Sequence, residues 1–230
     1  MQKKTDKSVL IVWGGWQGHT PHECAELFHP WLQSKGWKVT LSDSLDIFAN
    51  QRRMRNFNLI IPIWTMGQIS SDQWQGLQQA VLNGTGLAGW HGGMCDAFRN
   101  NPGYQFMTGG QWVAHPGGII NYQVKITNHS DPITKGLHDF RIKSEQYYMH
   151  TDPGNKVLAT TTFSGKHDNI PWIKGTVMPV VWKRLYGKGR IFYSALGHNA
   201  DDFSKPEIIE LMKRGIMWAI NDKIIPEYTP

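Results

Sequence analysis

Three short apolar runs, each stopping at a glycine-rich turn, constrain this chain most. Ser8-Val9-Leu10-Ile11-Val12-Trp13 runs into Gly14-Gly15, and Asn58-Leu59-Ile60-Ile61-Pro62-Ile63-Trp64 into Thr65-Met66-Gly67. Thr85-Gly86-Leu87-Ala88-Gly89-Trp90 runs into His91-Gly92-Gly93. A strand with one wet face alternates apolar and polar residues. A run without alternation is covered on both faces, as in a parallel sheet. Helical patterns fill the gaps. Thr20, Pro21 and Glu23 read as a capping box with proline at the first helical position. Cys24, Leu27, Phe28, Trp31 and Leu32 then recur on one helical face, and Gly36 ends the helix. Residues 37–41 read as a strand. Ser70 or Ser71 caps a helix that buries Trp74, Leu77, Val81 and Leu82 before Asn83-Gly84. Pro62 cannot donate to a ladder, so it is expected near its strand's end.

The second half is patterned differently. Residues 122–127 alternate, and residues 178–185 and 190–195 flank Tyr186-Gly187-Lys188-Gly189, a hairpin signal. A last helix starts near Pro206, with Ser204 and Glu207 as its expected cap and Ile208, Leu211, Met212, Ile216, Ala219 and Ile220 as its buried face. Residues 92–118 read as one long loop, functional or poorly ordered. The expectation is an α/β fold: a parallel sheet flanked by helices, with an antiparallel extension in the second half. Residues 8–222 form a single domain in this reading, with 1–7 and 223–230 as tails.

Composition excludes several functions. The chain has 24 Lys+Arg and 18 Asp+Glu in 230 residues, a formal charge of +6. The basic residues are scattered rather than gathered on one motif, which argues against nucleic acid. No apolar run approaches the ~18 residues of a membrane span. The basic start, residues 1–7, precedes too short an apolar run for a signal peptide, so a cytoplasmic protein is expected. Cys24 and Cys95 cannot form a disulfide framework or a four-cysteine zinc site.

The chemistry-bearing residues follow the strands. His19 lies in the turn after the first, Trp64 ends the third, and His91 opens the turn after the fourth. Loops at the carboxyl edge of a parallel sheet converge, and open α/β sheets bind ligands there. His198, in Ala195-Leu196-Gly197-His198, joins them if its strand is parallel and adjacent. Gly89-Trp90-His91-Gly92-Gly93 has the spacing of a nucleophile elbow, with histidine where a hydrolase carries serine or cysteine. Glu145, His150 and Asp152 lie in another polar segment. In a strand Glu145 shares a face with Tyr147, and His150 with Asp152. Eleven tryptophans divide into helical, core-like residues and a group at strand ends and loops (Trp16, Trp64, Trp90, Trp112) suited to the apolar face of a sugar.

The segment Trp90-His91-Gly92-Gly93-Met94-Cys95-Asp96-Ala97-Phe98-Arg99, with Gly109-Gly110-Gln111-Trp112-Val113-Ala114-His115-Pro116-Gly117, resembles the central signature of ThuA-like proteins, named for trehalose utilisation. His129-x-Asp131-Pro132, Glu145-x-Tyr147-Tyr148, Tyr186-Gly187-Lys188-Gly189-Arg190 and Leu196-Gly197-His198 extend the resemblance over about residues 8–222. It implies a flavodoxin-like fold of the class I glutamine amidotransferase type. With His91 at the elbow and His198 as the later histidine, glutamine hydrolysis is not expected. Cys95 stands where relatives more often carry glycine, which argues against an essential thiol.

The resemblance implies carbohydrate metabolism, on a disaccharide or 3-keto-glycoside, by acid/base isomerisation or glycosidic cleavage. His91, Glu145 and His198 are the expected acid/base groups. His19, Trp64, Trp90, Gly92, Asp96, Arg99, His150 and Asp152 are expected to bind substrate. The expected partner is a small-molecule sugar, with a sugar dehydrogenase in the same pathway; homo-oligomerisation is left open. No cofactor is required by the pattern, and a divalent metal remains an alternative. The rival reading is a non-catalytic sugar-binding or regulatory protein on the same fold.

Overall fold

The computed structural model describes residues 7–224. The other residues of the expected tails, 1–6 and 225–230, lie outside the described residues. In chain order the elements are β1 (Ser8–Gly15), α1 (Pro21–Ser34), β2 (Lys38–Ser42), α2 (Gln51–Met54), β3 (Leu59–Thr65), α3 (Ser71–Leu82), β4 (Gly86–Trp90), α4 (His91–Cys95) and α5 (Pro102–Thr108). There follow β5 (Gly110–Ala114), β6 (Ile119–Ile126), β7 (Phe140–Glu145), β8 (Tyr148–Thr151), β9 (Lys156–Thr162), β10 (Val177–Tyr186), β11 (Gly189–Ser194) and α6 (Pro206–Ala219).

The main sheet has nine strands in the order β2-β1-β3-β4-β11-β10-β9-β6-β7. The pairs from β2 to β11 are parallel. Those from β11 to β7 are antiparallel. A separate antiparallel pair, β5 and β8, stands beside it. Helices flank this mixed sheet, as the alternation of runs predicts. Val9 to Val12 and Leu59 to Ile61 are wholly buried, which explains why their runs show no polar alternation. Strand β11 is the joint: it pairs parallel with β4 and antiparallel with β10. His198 therefore follows a strand of the parallel half and reaches the same edge as His91. Among the described residues no helix is long and apolar enough to cross a membrane.

Several local expectations are corrected. Thr20 is left-handed (φ 44°) and caps no helix with its side chain. Its hydroxyl instead accepts from the Ala200 N–H at 2.9 Å, a tertiary contact that outcompetes the capping box. Ser204 does not cap α6; Lys205 is the N-cap residue and makes no side-chain cap. Leu27 is exposed, although it shares the spacing of buried Phe28 and Leu32. Pro62 lies inside β3, opposite Val12 of β1, but the β3–β4 ladder ends at Ile60, so no donor is missed there. The segment 92–118 is ordered structure, holding the rest of α4, α5 and β5. Ser70 does cap α3, with a full capping box to Gln73.

Candidate metal centre

His91 stands at the β4–α4 junction with φ 45°, a left-handed conformation that a non-glycine residue adopts only under local strain. The elbow does not lift this side chain into solvent. His91 is 1% exposed and lies beneath the edge of the sheet. Its Nδ1 is 2.9 Å from the Ala195 carbonyl, which can only accept, so Nδ1 carries the proton and Nε2 offers a lone pair. That lone pair faces Glu145 Oε2 at 3.1 Å and His198 Nδ1 at 3.3 Å. His198 Nδ1 is in turn 3.4 Å from Glu145 Oε2. Three donor atoms thus form a nearly equilateral triangle.

His19 completes the group. Its Nδ1 meets the Thr65 hydroxyl at 2.8 Å, and this orients the ring. One ligand atom each from His19, His91, Glu145 and His198 lie within 4.8 Å of one another. Gly92 makes room for this: a Cβ there would come within 2.5 Å of His19 Cε1. Tyr147 stacks on His91 with ring centroids 3.9 Å apart, and the Tyr193 hydroxyl donates to the His91 carbonyl at 3.1 Å. Asp202 ties two parts of the site together, accepting from the His198 N–H at 3.0 Å and from Ser144 Oγ, beside Glu145, at 2.7 Å.

Charge and burial shape this site. Burial pushes His19 down to about 3, helped by its histidine neighbours. Burial likewise lowers His91. The hydrogen bond to Glu145 raises His198 against its own desolvation. Burial acts to raise Glu145, but the hydrogen bond from His198 and the close approach of His91 outweigh it and hold the carboxyl well below its usual range. The result is a set of converging imidazole and carboxylate lone pairs in which burial disfavours the charged form of His19 and His91 and the carboxylate favours a proton at His198. A divalent cation can satisfy the same converging lone pairs. Donors about 2.1 Å from one cation sit ~3.0 Å apart when adjacent in an octahedron and ~3.4 Å along a tetrahedral edge. The observed 3.1, 3.3 and 3.4 Å separations span that interval. The second nitrogens of His91 and His19 rest on a backbone carbonyl and a hydroxyl, the outer-shell support typical of metal-binding histidines. The triangle of His91, Glu145 and His198 therefore has the chemistry and geometry of a divalent metal site, with His19 as a neighbouring fourth donor.

The remaining candidates take other places. Asp96 is buried and holds Arg99 through two bonds, Nε to Oδ1 at 2.6 Å and Nη2 to Oδ2 at 2.9 Å. The guanidinium lies over Trp112, 4.7 Å from the ring centre. Trp64 is half-buried under Gly14 and Gly67. Trp90 is 2% exposed and packs between Phe28 and Phe203, where no ligand reaches it. His150 is exposed and lies with Asp152 along a separate groove beside Phe106. Asp152 is occupied by Arg184 at 3.1 Å. Both are set apart from the four-residue cluster.

Residues not singled out from sequence are Thr65, Tyr147, Asp202 and His115. His115 Nε2 is 3.8 Å from Glu145 Oε1, and its side chain, 38% exposed, opens to solvent. Strand parity pairs Tyr147 with Glu145, and His115 lies in the signature segment; nothing local marks the other two. Both cysteines are free and buried, and burial pushes the Cys24 thiol up to about 12 and raises Cys95 too. Neither is an available nucleophile.

A family model described as "Trehalose utilisation" (ThuA) matches residues 8–219. Solved structures with the same architecture include a ThuA-like protein from Bacteroides uniformis, 18% identical over 96% of this chain and 93% of that one, with TM-score 0.76. Another is a ThuA-like protein from Parabacteroides merdae, 18% identical over 97% and 94%, with TM-score 0.74. The mmIFT52 N-terminal domain also superposes, at TM-score 0.67 and 9% identity over 95% and 100% of the two chains. At these identities the likeness is one of fold alone. No curated protein matches the chain.

Proposed function

The chain belongs to the ThuA family, and from that premise we propose that it is a metal-dependent enzyme of carbohydrate metabolism acting beside the carbonyl of an oxidised sugar, such as a 3-keto-disaccharide. The observation that carries this reading is the convergence of His91 Nε2, Glu145 Oε2 and His198 Nδ1, with His19 alongside. Two imidazoles and a carboxylate on one triangular face suit a first-row divalent cation with positions open to a ligand. When bound, such a cation would polarise a carbonyl or hydroxyl oxygen of the substrate.

The protein's own groups then divide the work. His91, Glu145 and His198, with His19 alongside, would hold the cation, and their lone pairs would then not be free to carry protons. His115 is the remaining imidazole at the site, and its Nε2 takes the role of proton acceptor and donor. A carbonyl acidifies the C–H bond of its neighbouring carbon. Removal of that proton leaves an electron pair conjugated with the carbonyl. The pair either picks up a proton again at another position, which is isomerisation, or expels the glycosidic oxygen from the next carbon, which leaves protonated as an alcohol. Tyr147, stacked on His91, closes one side of the site to water.

The test is turnover of 3-keto-trehalose, followed by NMR and mass spectrometry, by protein stripped of metal and then reloaded with Mn²⁺ or Zn²⁺. Metal-dependent loss of substrate supports the proposal. Saturable sugar binding without turnover in any metal form would instead make the chain a binding protein on the same fold.

A further inference from the structure

Eleven tryptophans are too many to be explained by one role, and burial separates them. Trp37, Trp90 and Trp182 are core. Trp64 is closed in by glycines: a Cβ at Gly14 would lie 2.5 Å from its Cζ3, and one at Gly67 would lie 2.8 Å from its Nε1. Trp112 has Arg99 on one face. Two indoles are widely open, Trp16 at 47% and Trp172 at 76%. Trp172 borders a groove lined by Ala114, Pro116 and Tyr148, the residues flanking His115 and Tyr147 rather than those two themselves. None of the four cluster residues lines that groove.

Trp16 is different. Its ring meets His19 edge-on, with centroids 4.6 Å apart. His19 is in turn 4.8 Å from His91 and 5.1 Å from His198, measured between ring centres. The indole is fixed rather than loose. Its backbone N–H donates to the Thr65 carbonyl at 3.2 Å. Its six-membered ring lies on Gly18, where a Cβ would come within 2.3 Å of Cζ2. One side of the ring is thus seated on glycine and histidine, and the rest faces solvent next to His19 of the cluster. An exposed aromatic held rigidly costs solvation without adding to the core, and it suits a ligand with one apolar and one polar side.

We propose that Trp16 is the platform for the substrate's sugar ring, with the apolar C–H face of a pyranose against the open indole and the ring's oxygens turned toward the adjoining cluster. This rests on the cluster being the active site. It adds that recognition is by ring shape and that it is set by the turn after β1.

The test is calorimetric titration of the metal-loaded protein with trehalose, maltose and methyl α-glucopyranoside, with sorbitol as an open-chain polyol. Metal content is measured on every variant. Trp16→Ala should weaken pyranoside binding by roughly tenfold or more. Trp16→Phe should retain most of it, and Trp172→Ala should change nothing. Metal content should stay that of the parent in all three, and sorbitol should not compete. The inference is overturned if Trp16→Ala binds pyranosides like the parent, if sorbitol binds equally well, or if the parent binds none of the three sugars. Absence of metal from the parent would instead count against the metal reading. The same titration on that metal-free protein still decides the role of Trp16.

Discussion

The two halves of the sheet bring different chemistry to one point. The parallel half supplies three imidazoles, each on a turn after a strand: His19 after β1, His91 after β4 and His198 after β11. The antiparallel half supplies the carboxylate of Glu145 at the end of β7 and Tyr147 just beyond it, and His115 stands in the connection from the separate strand β5 to β6. Parallel strands make convergence automatic, because every following turn leaves from the same edge. An antiparallel segment has no such common edge. Its contribution depends on one bend, between β7 and β8, and on the bonds that dock it. The imidazoles of the cluster therefore come from the scaffold, while its carboxylate and the neighbouring His115 come from the extension.

Separating these roles gives the largest expected effect. His115→Ala should lower kcat by ~10²–10⁴-fold while leaving metal content unchanged. Equal loss of metal would move His115 into the ligand set. The next effect is on the docking itself. Arg214 of α6 pairs with buried Glu210 at 2.6 Å and donates to the Lys135 and Ile133 carbonyls of the extension at 2.7 and 3.3 Å. Arg214→Ala leaves a buried carboxylate and two carbonyls without this donor. It should cost about 3–5 kcal/mol in urea unfolding. A cost under ~1 kcal/mol, the scale of an exposed pair, would mean the halves are joined elsewhere.

A smaller effect is expected at Thr65, which belongs to the scaffold and orients His19. Thr65→Val should weaken metal binding ~10–100-fold with little change in unfolding. The smallest is an acid-side effect in the extension. Asp131 is buried, which disfavours its charge, but Lys183 at 2.6 Å and Lys156 at 3.2 Å outweigh that and hold its carboxyl below the ordinary value. A depressed folded-state value means the stabilisation is complete above the unfolded value of about 3.9 and is lost as pH falls through the folded one. The stability difference between the parent and Asp131→Asn should accordingly shrink as acid is added below about pH 4. A difference constant with pH would remove the ion pair from the account.

This contrast also explains what the sequence makes legible. Unbroken apolar runs announce doubly covered strands, and the glycines after them announce turns. His19, His91 and His198 could therefore be placed together from topology alone. The condition on His198 is met because β11 pairs parallel with β4 through Ser194 and Trp90. Glu145 was legible as a polar residue on the face of Tyr147, but its partner was not. Its approach to His91 spans 54 residues and arises from packing of the extension on the parallel half. Thr20 and Ser204 show the same limit on a smaller scale. Each has the residue type of a helix cap, and in neither case does the side chain serve as one. The tryptophans could be sorted by position but not by exposure. Trp90, in the signature itself, is core, whereas Trp16 is open beside His19.

The most direct test of the central claim is titration of metal-free protein with Mn²⁺ or Zn²⁺ near neutral pH, repeated on His91→Ala and Glu145→Gln. One saturable equivalent in the parent, lost in both variants while they remain folded, is the predicted result. No saturable binding, or one equivalent that survives both substitutions, would contradict a metal centre assembled from the two halves of the sheet.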